Sequence, residues 1–153
     1  MNKTIYVGSD HAGYQYKVSL IQKLKTEFPN LTFEDVGCHN DQSCDYPDFA
    51  EKVASEVVAH HGRGLIFCGS GIGVAIAANK IPGIRAATVW DKTSAVLSKE
   101  HNNTNIITLG SRLVSLEVAF DACASWLKTE FAGGRHQKRV DLISALEKKY
   151  GAS

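Results

Sequence analysis

The residue types best placed to do chemistry sit in the run Cys68-Gly69-Ser70-Gly71-Ile72-Gly73, a thiol followed by a turn with glycine at every second position. Such a turn clears bulky side chains from a row of backbone N–H groups. Where it opens a helix, the dipole adds a preference for negative charge, so thiol and turn together suit an oxyanion beside a thiolate acting as a base. Better-known loops fit less well. The dinucleotide fingerprint G-x-G-x-x-G is missed, because the glycines fall at 69, 71 and 73, although Asp91 stands at roughly the downstream spacing of that motif's acidic residue. No Lys-Ser or Lys-Thr follows at a phosphate-loop offset, which argues against ATP hydrolysis. A cysteine phosphatase loop needs an arginine six residues past its cysteine, and that position is Val74.

A second anion site is expected in Gly133-Gly134-Arg135-His136-Gln137-Lys138-Arg139. Arg135 and Arg139 are four apart and face the same way at the start of a helix, and two guanidinium forks suit one phosphate. Arg112, in Gly110-Ser111-Arg112, adds a possible third contact. Cys38, Cys44 and Cys123 lack the paired spacing of a zinc site and read as structural thiols. His39, His60 and His61 have no carboxylates at ligand spacing and read as exposed, so no metal and no cofactor is expected.

These residues need elements to position them. Short apolar runs at Ile5 to Val7, Leu31 to Val36, Leu65 to Phe67, Ala86 to Trp90 and Ile106 to Leu109 read as five strands. Helical stripes accompany them: Leu20, Ile21, Leu24 and Phe28; then Phe49, Ala50, Val53, Ala54, Val57 and Val58 behind Pro47; then, late in the chain, Leu116, Val118, Ala119, Cys123, Trp126 and Leu127. The alternation predicts an α/β fold, a doubly wound parallel sheet with helices on both faces and ligands outside the carboxyl ends of its strands. Ser9-Asp10-His11-Ala12-Gly13, the glycine turn and Gly110-Ser111-Arg112 then converge on one edge. His101-Asn102 precedes strand five and belongs at the opposite edge, out of reach of Cys68 in the same chain; two copies packed together would resolve that conflict. An extra C-terminal amphipathic helix carries Val140, Ile143 and Leu146, and covers either its own domain or a second copy.

The bulk properties set bounds. A chain of 153 residues with 44% hydrophobic residues suits one domain over residues 1–153. Its net charge of +1 supplies no field for nucleic acid or an anionic membrane surface. The stretch from Gly64 to Asn79 is too short and glycine-broken to span a bilayer, and the N-terminus has no secretory apolar core, so a cytoplasmic location is expected.

Taken together, Ser9-Asp10-His11-Ala12-Gly13, Asp45-Tyr46-Pro47, the Cys68 to Gly73 turn with Ala77-Ala78-Asn79-Lys80, His101-Asn102, Gly110-Ser111-Arg112 and Gly133-Gly134-Arg135-His136-Gln137 resemble the type B ribose-5-phosphate isomerases over nearly the whole chain. The resemblance implies a Rossmann-like domain, a metal-free site shared between subunits of a homodimer or tetramer, and interconversion of ribose 5-phosphate and ribulose 5-phosphate. It implies Cys68 as the base, the amides of Gly69, Ser70, Gly71 and Gly73 as enediolate ligands, and Ser70 as a hydroxyl proton relay. It also implies His101 as the ring-opening acid–base residue, Asp10 gripping sugar hydroxyls or sharing that proton traffic, Tyr46 and Asn102 as pocket walls, and His11, Arg112, Arg135 and Arg139 as phosphate ligands. Some relatives lack the cysteine and carry glutamate where Val74 stands here; many have threonine in place of Ser70. The motifs leave open a six-carbon substrate, allose 6-phosphate or galactose 6-phosphate, and a non-catalytic nucleotide-binding module is the alternative from another class.

Overall fold

A computed structural model describes residues 2–151. The elements run β1 (Thr4–Ser9), α1 (Tyr14–Glu27), β2 (Thr32–Gly37), α2 (Tyr46–His60), β3 (Arg63–Cys68), α3 (Ile72–Ala78), β4 (Ala86–Thr88), α4 (Lys92–Asn102), β5 (Ile106–Gly110), α5 (Leu116–Lys128) and α6 (Arg135–Gly151). All strand pairs are parallel, in the order β2-β1-β3-β5-β4.

Period-2 alternation divides the apolar strand residues between two cores. Ile5, Val7, Leu65, Phe67, Ile107 and Leu109 face α1, α5 and Ala95 of α4. Tyr6, Ile66, Cys68 and Ile106 face α2 and α3. With both faces covered, the central strands read as unbroken apolar runs, and each fully buried Leu, Ile or Val contributes about 1.5–3 kcal/mol. The chain winds from β1 outward to β2, then crosses back to β3 on the other side of β1. That reversal opens a crevice at the carboxyl ends of β1 and β3, the place where ligands bind in sheets of this kind.

The stripes are narrower than the sequence pattern suggests. Val58 and Val118 sit on helix flanks and are exposed, because each lies a full helical step from a properly inward neighbour. Phe28 is the C-cap of α1 and packs, half-buried, against the same core as Leu20, Ile21 and Leu24. Strand four ends at Thr88, two residues early: Trp90 turns out to 64% exposure, and Asp91 and Ser94 form a reciprocal capping box that starts α4. Among the described residues of α6 only Val140 is buried; Leu142, Ile143, Leu146 and Tyr150 are exposed. No helix among the described residues is long and apolar enough to cross a membrane.

Candidate active site

The carboxyl edge of the sheet gathers most of the residues singled out by sequence. At the end of β3 the Cys68 sulfur, 4% exposed, accepts the Gly71 N–H at 3.0 Å. Gly71 has φ +77, and a Cβ there would lie 2.8 Å from the Leu109 carbonyl carbon, so only glycine can fold the turn back onto β5. The Thr108 and Thr88 hydroxyls donate to the Gly71 carbonyl at 2.6 and 3.1 Å and pin the turn. Ser70 Oγ accepts the Ile72 N–H at 3.2 Å, leaving its own proton outward for another partner. Gly73 packs beneath the Tyr46 ring at the start of α2, where a Cβ would sit 2.6 Å from Cζ.

The neighbouring strand ends close around this turn. Asp10, 6% exposed, follows β1; its Oδ1 accepts the Gly13 N–H at 3.0 Å and its N–H donates to the Phe67 carbonyl at 3.2 Å. The Arg112 N–H donates to the Gly69 carbonyl at 3.0 Å, and its guanidinium lies so close over Gly69 that a Cβ there would be 3.0 Å from Nη1. His11 Nδ1 accepts the Cys44 N–H at 3.2 Å. A ring nitrogen that accepts carries no proton, so neutral His11 holds its proton on Nε2, as a donor to an anion. Asp10, His11, Tyr46, the Cys68 to Gly73 turn and Arg112 therefore share one edge.

His101, Asn102, Arg135 and Arg139 do not join them. His101 and Asn102 are in the last turn of α4, and the Asn102 carbonyl accepts from Arg85 Nε at 3.1 Å, just ahead of β4. Nearby, the Asn105 carbonyl receives the Gly64 N–H at the start of β3. From there to Cys68 the strand rises about 3.3 Å per residue, roughly 13 Å in all. The His101 ring stacks on His136 of α6 with centroids 4.2 Å apart and planes 12° apart. Partial burial, His101, Arg135 and Arg139 push the His136 pKa down, with Glu100 opposing. Arg135 and Arg139 are exposed on the same first turns of α6. The result is two clusters at opposite edges of one sheet.

Some residues hold positioning roles that the sequence left unassigned. Lys17, 0% exposed, donates to Asp35 Oδ1 at 2.7 Å and to the Cys38 carbonyl, bracing the exit of β2. Its spacing to Leu20, Ile21 and Leu24 puts it on the buried face of α1, and that was the available signal. Asn79 bridges to the Ala86 backbone, donating to its carbonyl at 2.9 Å and accepting its N–H at 2.8 Å, which ties α3 to β4. Cys123 is fully buried, and burial pushes its thiol up to about 12, in keeping with a structural role. Cys44 instead touches His11, with Sγ 3.8 Å from Nδ1. His39, His60 and His61 are exposed. Among the described residues no group of three His, Cys, Asp or Glu side chains is placed to hold a metal ion. The cavity beneath α6, about 690 Å³ and lined by Arg85, Asn102, Ile143, Leu146, Glu147 and Tyr150 among others, lies at the amino edge, away from Cys68.

The profile of the ribose/galactose isomerase family matches residues 5–143. Ribose-5-P isomerase B of Listeria innocua is 41% identical over 146 residues, covering 95% of this chain and 97% of the relative. The Clostridium thermocellum ribose-5-phosphate isomerase B structure superposes with a TM-score of 0.92 at 47% identity, over 96% of this chain and 99% of that one. A Mycoplasma genitalium ribose-5-phosphate isomerase B solved with bound ribulose-5-phosphate superposes with a TM-score of 0.90 at 38% identity, over 95% of this chain and 97% of that one. With a profile spanning nearly the whole chain and relatives this similar in sequence and fold, the chain belongs to the ribose/galactose isomerase family.

Proposed function

We propose that the chain is a single-domain cytoplasmic isomerase that interconverts ribose 5-phosphate and ribulose 5-phosphate in a homodimer whose active sites draw on both subunits. The observation that carries the chemistry is the Cys68 sulfur held at 3.0 Å by the Gly71 N–H inside a turn with glycine at 69, 71 and 73. A sulfur among backbone N–H donors is placed to take a proton from a carbon whose neighbouring oxygen those donors hold. The separation of the two residue clusters supports the dimer: the carboxyl edge has a base and oxyanion ligands but no His101, while the amino edge has His101 and the paired arginines but no base.

In this reading Arg135, Arg139, Arg112 and the Nε2–H of His11 hold the phosphate by charge-assisted hydrogen bonds. His101, with Asp10 sharing the proton traffic, takes the C1 hydroxyl proton and returns one to the ring oxygen, giving the open-chain aldehyde. Tyr46 and Asn102 wall the pocket. The Cys68 thiolate then removes the proton from C2; the C–H electron pair becomes the C1–C2 double bond, and the carbonyl pair moves to O1. Amides of Gly69, Ser70, Gly71 and Gly73 stabilise that enediolate oxygen, and Ser70 relays the proton from O2 to O1. Return of the proton from sulfur to C1, as the new carbonyl forms at C2, completes a redox-neutral isomerisation.

The test is deuterium wash-in from solvent at the carbon next to the carbonyl, run with chelator on ribose 5-phosphate, allose 6-phosphate and galactose 6-phosphate. Exchange and turnover fastest with the pentose support the reading. Exchange confined to a hexose moves the substrate to six carbons, and tight nucleotide binding with no exchange in any sugar overturns isomerisation altogether.

A further inference from the structure

Between β2 and α2 lie two thiols that the proposed chemistry leaves idle. Cys38 is buried, donating its S–H to the Asn40 carbonyl at 3.1 Å with Ser9 Oγ 3.9 Å away. Cys44 is half-buried, six residues further along the same connection. The two thiols line one cavity of about 320 Å³, together with His39, Asn40, Gln42 and Lys52, through which a small reagent can approach. The loop's ends differ in restraint. Lys17 grips the Cys38 carbonyl and Asp35, whose Oδ1 also accepts the Gly37 N–H at 2.9 Å, so Cys38 is the anchored member. Cys44 is attached to the site instead: its N–H and its sulfur meet the same nitrogen of His11, at 3.2 and 3.8 Å.

We infer that Cys38 and Cys44 form a thiol–disulfide modification site for low-molecular-weight disulfides, and that closing the bond draws Cys44 off His11 and weakens the anion site. The second half rests on the role proposed above for His11. In the first step Cys44 Sγ attacks one sulfur of the small disulfide, its proton passing to His11 Nδ1; a mixed disulfide forms and one small thiolate leaves, taking that proton. Cys38 Sγ then attacks the Cys44 sulfur, and the second small thiol departs with the Cys38 proton. Two protein thiols are oxidised and one small disulfide is reduced to two thiols, so electrons and protons balance. Burial pushes the Cys44 thiol up, the contact with His11 pulls it back, and Cys38 and Asp10 add to the push. His39 and Lys52 face the same cavity and are the other groups that titrate or carry charge there. Cys44 therefore rests as the protonated thiol and exchanges faster as pH rises, because the thiolate is the attacking form.

The test exposes the intact protein to graded ratios of oxidised to reduced glutathione, followed by intact mass, peptide mapping and calorimetry with ribose 5-phosphate. The expected product is lighter by two hydrogens with residues 38 and 44 cross-linked and no glutathione retained at either. Modification at Cys68 is told apart because it retains the glutathione mass. Affinity for ribose 5-phosphate falls at least severalfold on oxidation and returns with dithiothreitol, whereas Cys44→Ser protein forms no cross-link and holds its affinity in the same buffer, and Cys38→Ser protein stops at a glutathione adduct on Cys44. Glutathione adducts without a 38–44 cross-link in the unaltered protein overturn the modification site. A cross-link that leaves affinity unchanged overturns its coupling to His11. An untreated protein that neither binds nor isomerises ribose 5-phosphate counts against the proposed function instead, and the mass readout still decides the thiols.

Discussion

Complementation between two inactive chains measures whether one site draws on two subunits. The perturbation is Cys68→Ala in one chain and His101→Ala in another. Along β3, Cys68 stands roughly 13 Å from the level at which α4 ends, farther than a histidine side chain extends, so in a dimer with shared sites each site pairs the Cys68 of one subunit with the His101 of the other. In a hybrid, one site then combines both unaltered residues and the other combines both alanines. Random reassortment of equal amounts makes about half the dimers hybrid, and about a quarter of all sites intact. If each chain held a complete site, every site in the mixture would be defective and activity would stay at the parental floor, about 10²–10⁴-fold down for loss of an acid–base group. A reciprocal control sharpens the contrast. Mixing wild type with a Cys68→Ala/His101→Ala chain leaves about a quarter of the sites intact if they are shared and about half if they are not. Differently tagged chains, coexpressed and purified through both tags, supply pure hybrid, and conversion of ribose 5-phosphate is followed as ketose appears. Purified hybrid no more active than its parents refutes the shared site.

The remaining expectations test single residues. Cys68→Ala abolishes turnover while calorimetry finds sugar-phosphate affinity retained; substantial residual turnover reassigns the base. Arg139→Ala weakens binding first, by about 1.5–3 kcal/mol or roughly tenfold to a hundredfold, and an unchanged Michaelis constant removes Arg139 from the phosphate site. Asp35→Ala strands the fully buried Lys17 beside only a carbonyl, at a cost of about 3 kcal/mol; thermal unfolding then shows Tm lower by about 6–12 °C, and a shift under about 2 °C shows that the brace is dispensable. Lys99 titrates at about 8 against an ordinary 10.5, through burial first and then Arg63 and Arg85. Between those values the unfolded chain binds the extra proton, so Lys99 makes stability rise with pH across pH 8 to 10.5. Urea midpoints across that window flatten in Lys99→Met, and an identical slope in both proteins removes Lys99 as the cause.

Strand and helix identity was legible because sheet burial leaves period-2 or unbroken apolar runs, and helix burial leaves period-3.6 stripes. Boundaries were less so. Strand four was read through to Trp90 because that run is apolar, but the Asp91–Ser94 capping box claims the chain for α4 before Trp90 can pair. Val58 and Val118 passed for stripe residues because composition does not record the angular width of a contact. The motif residues around Cys68 could be grouped from the sequence because parallel strands deliver their carboxyl ends to one side, and the same rule placed His101 at the other.

What the chain's order of residues determined by itself was the element pattern, the glycine turn beside a thiol, the paired arginines and the family likeness, all of which depend on local spacing. Only the tertiary structure decided that Lys17 and Asp35 clamp the loop leading to His11, that two thiols share a cavity there, that His136 lies flat on His101, and that α6 leaves most of its apolar face bare. Those arrangements join residues from 6 to 35 positions apart. Such distances are closed by packing of whole elements, and side-chain periodicity carries no information about which element will arrive against which.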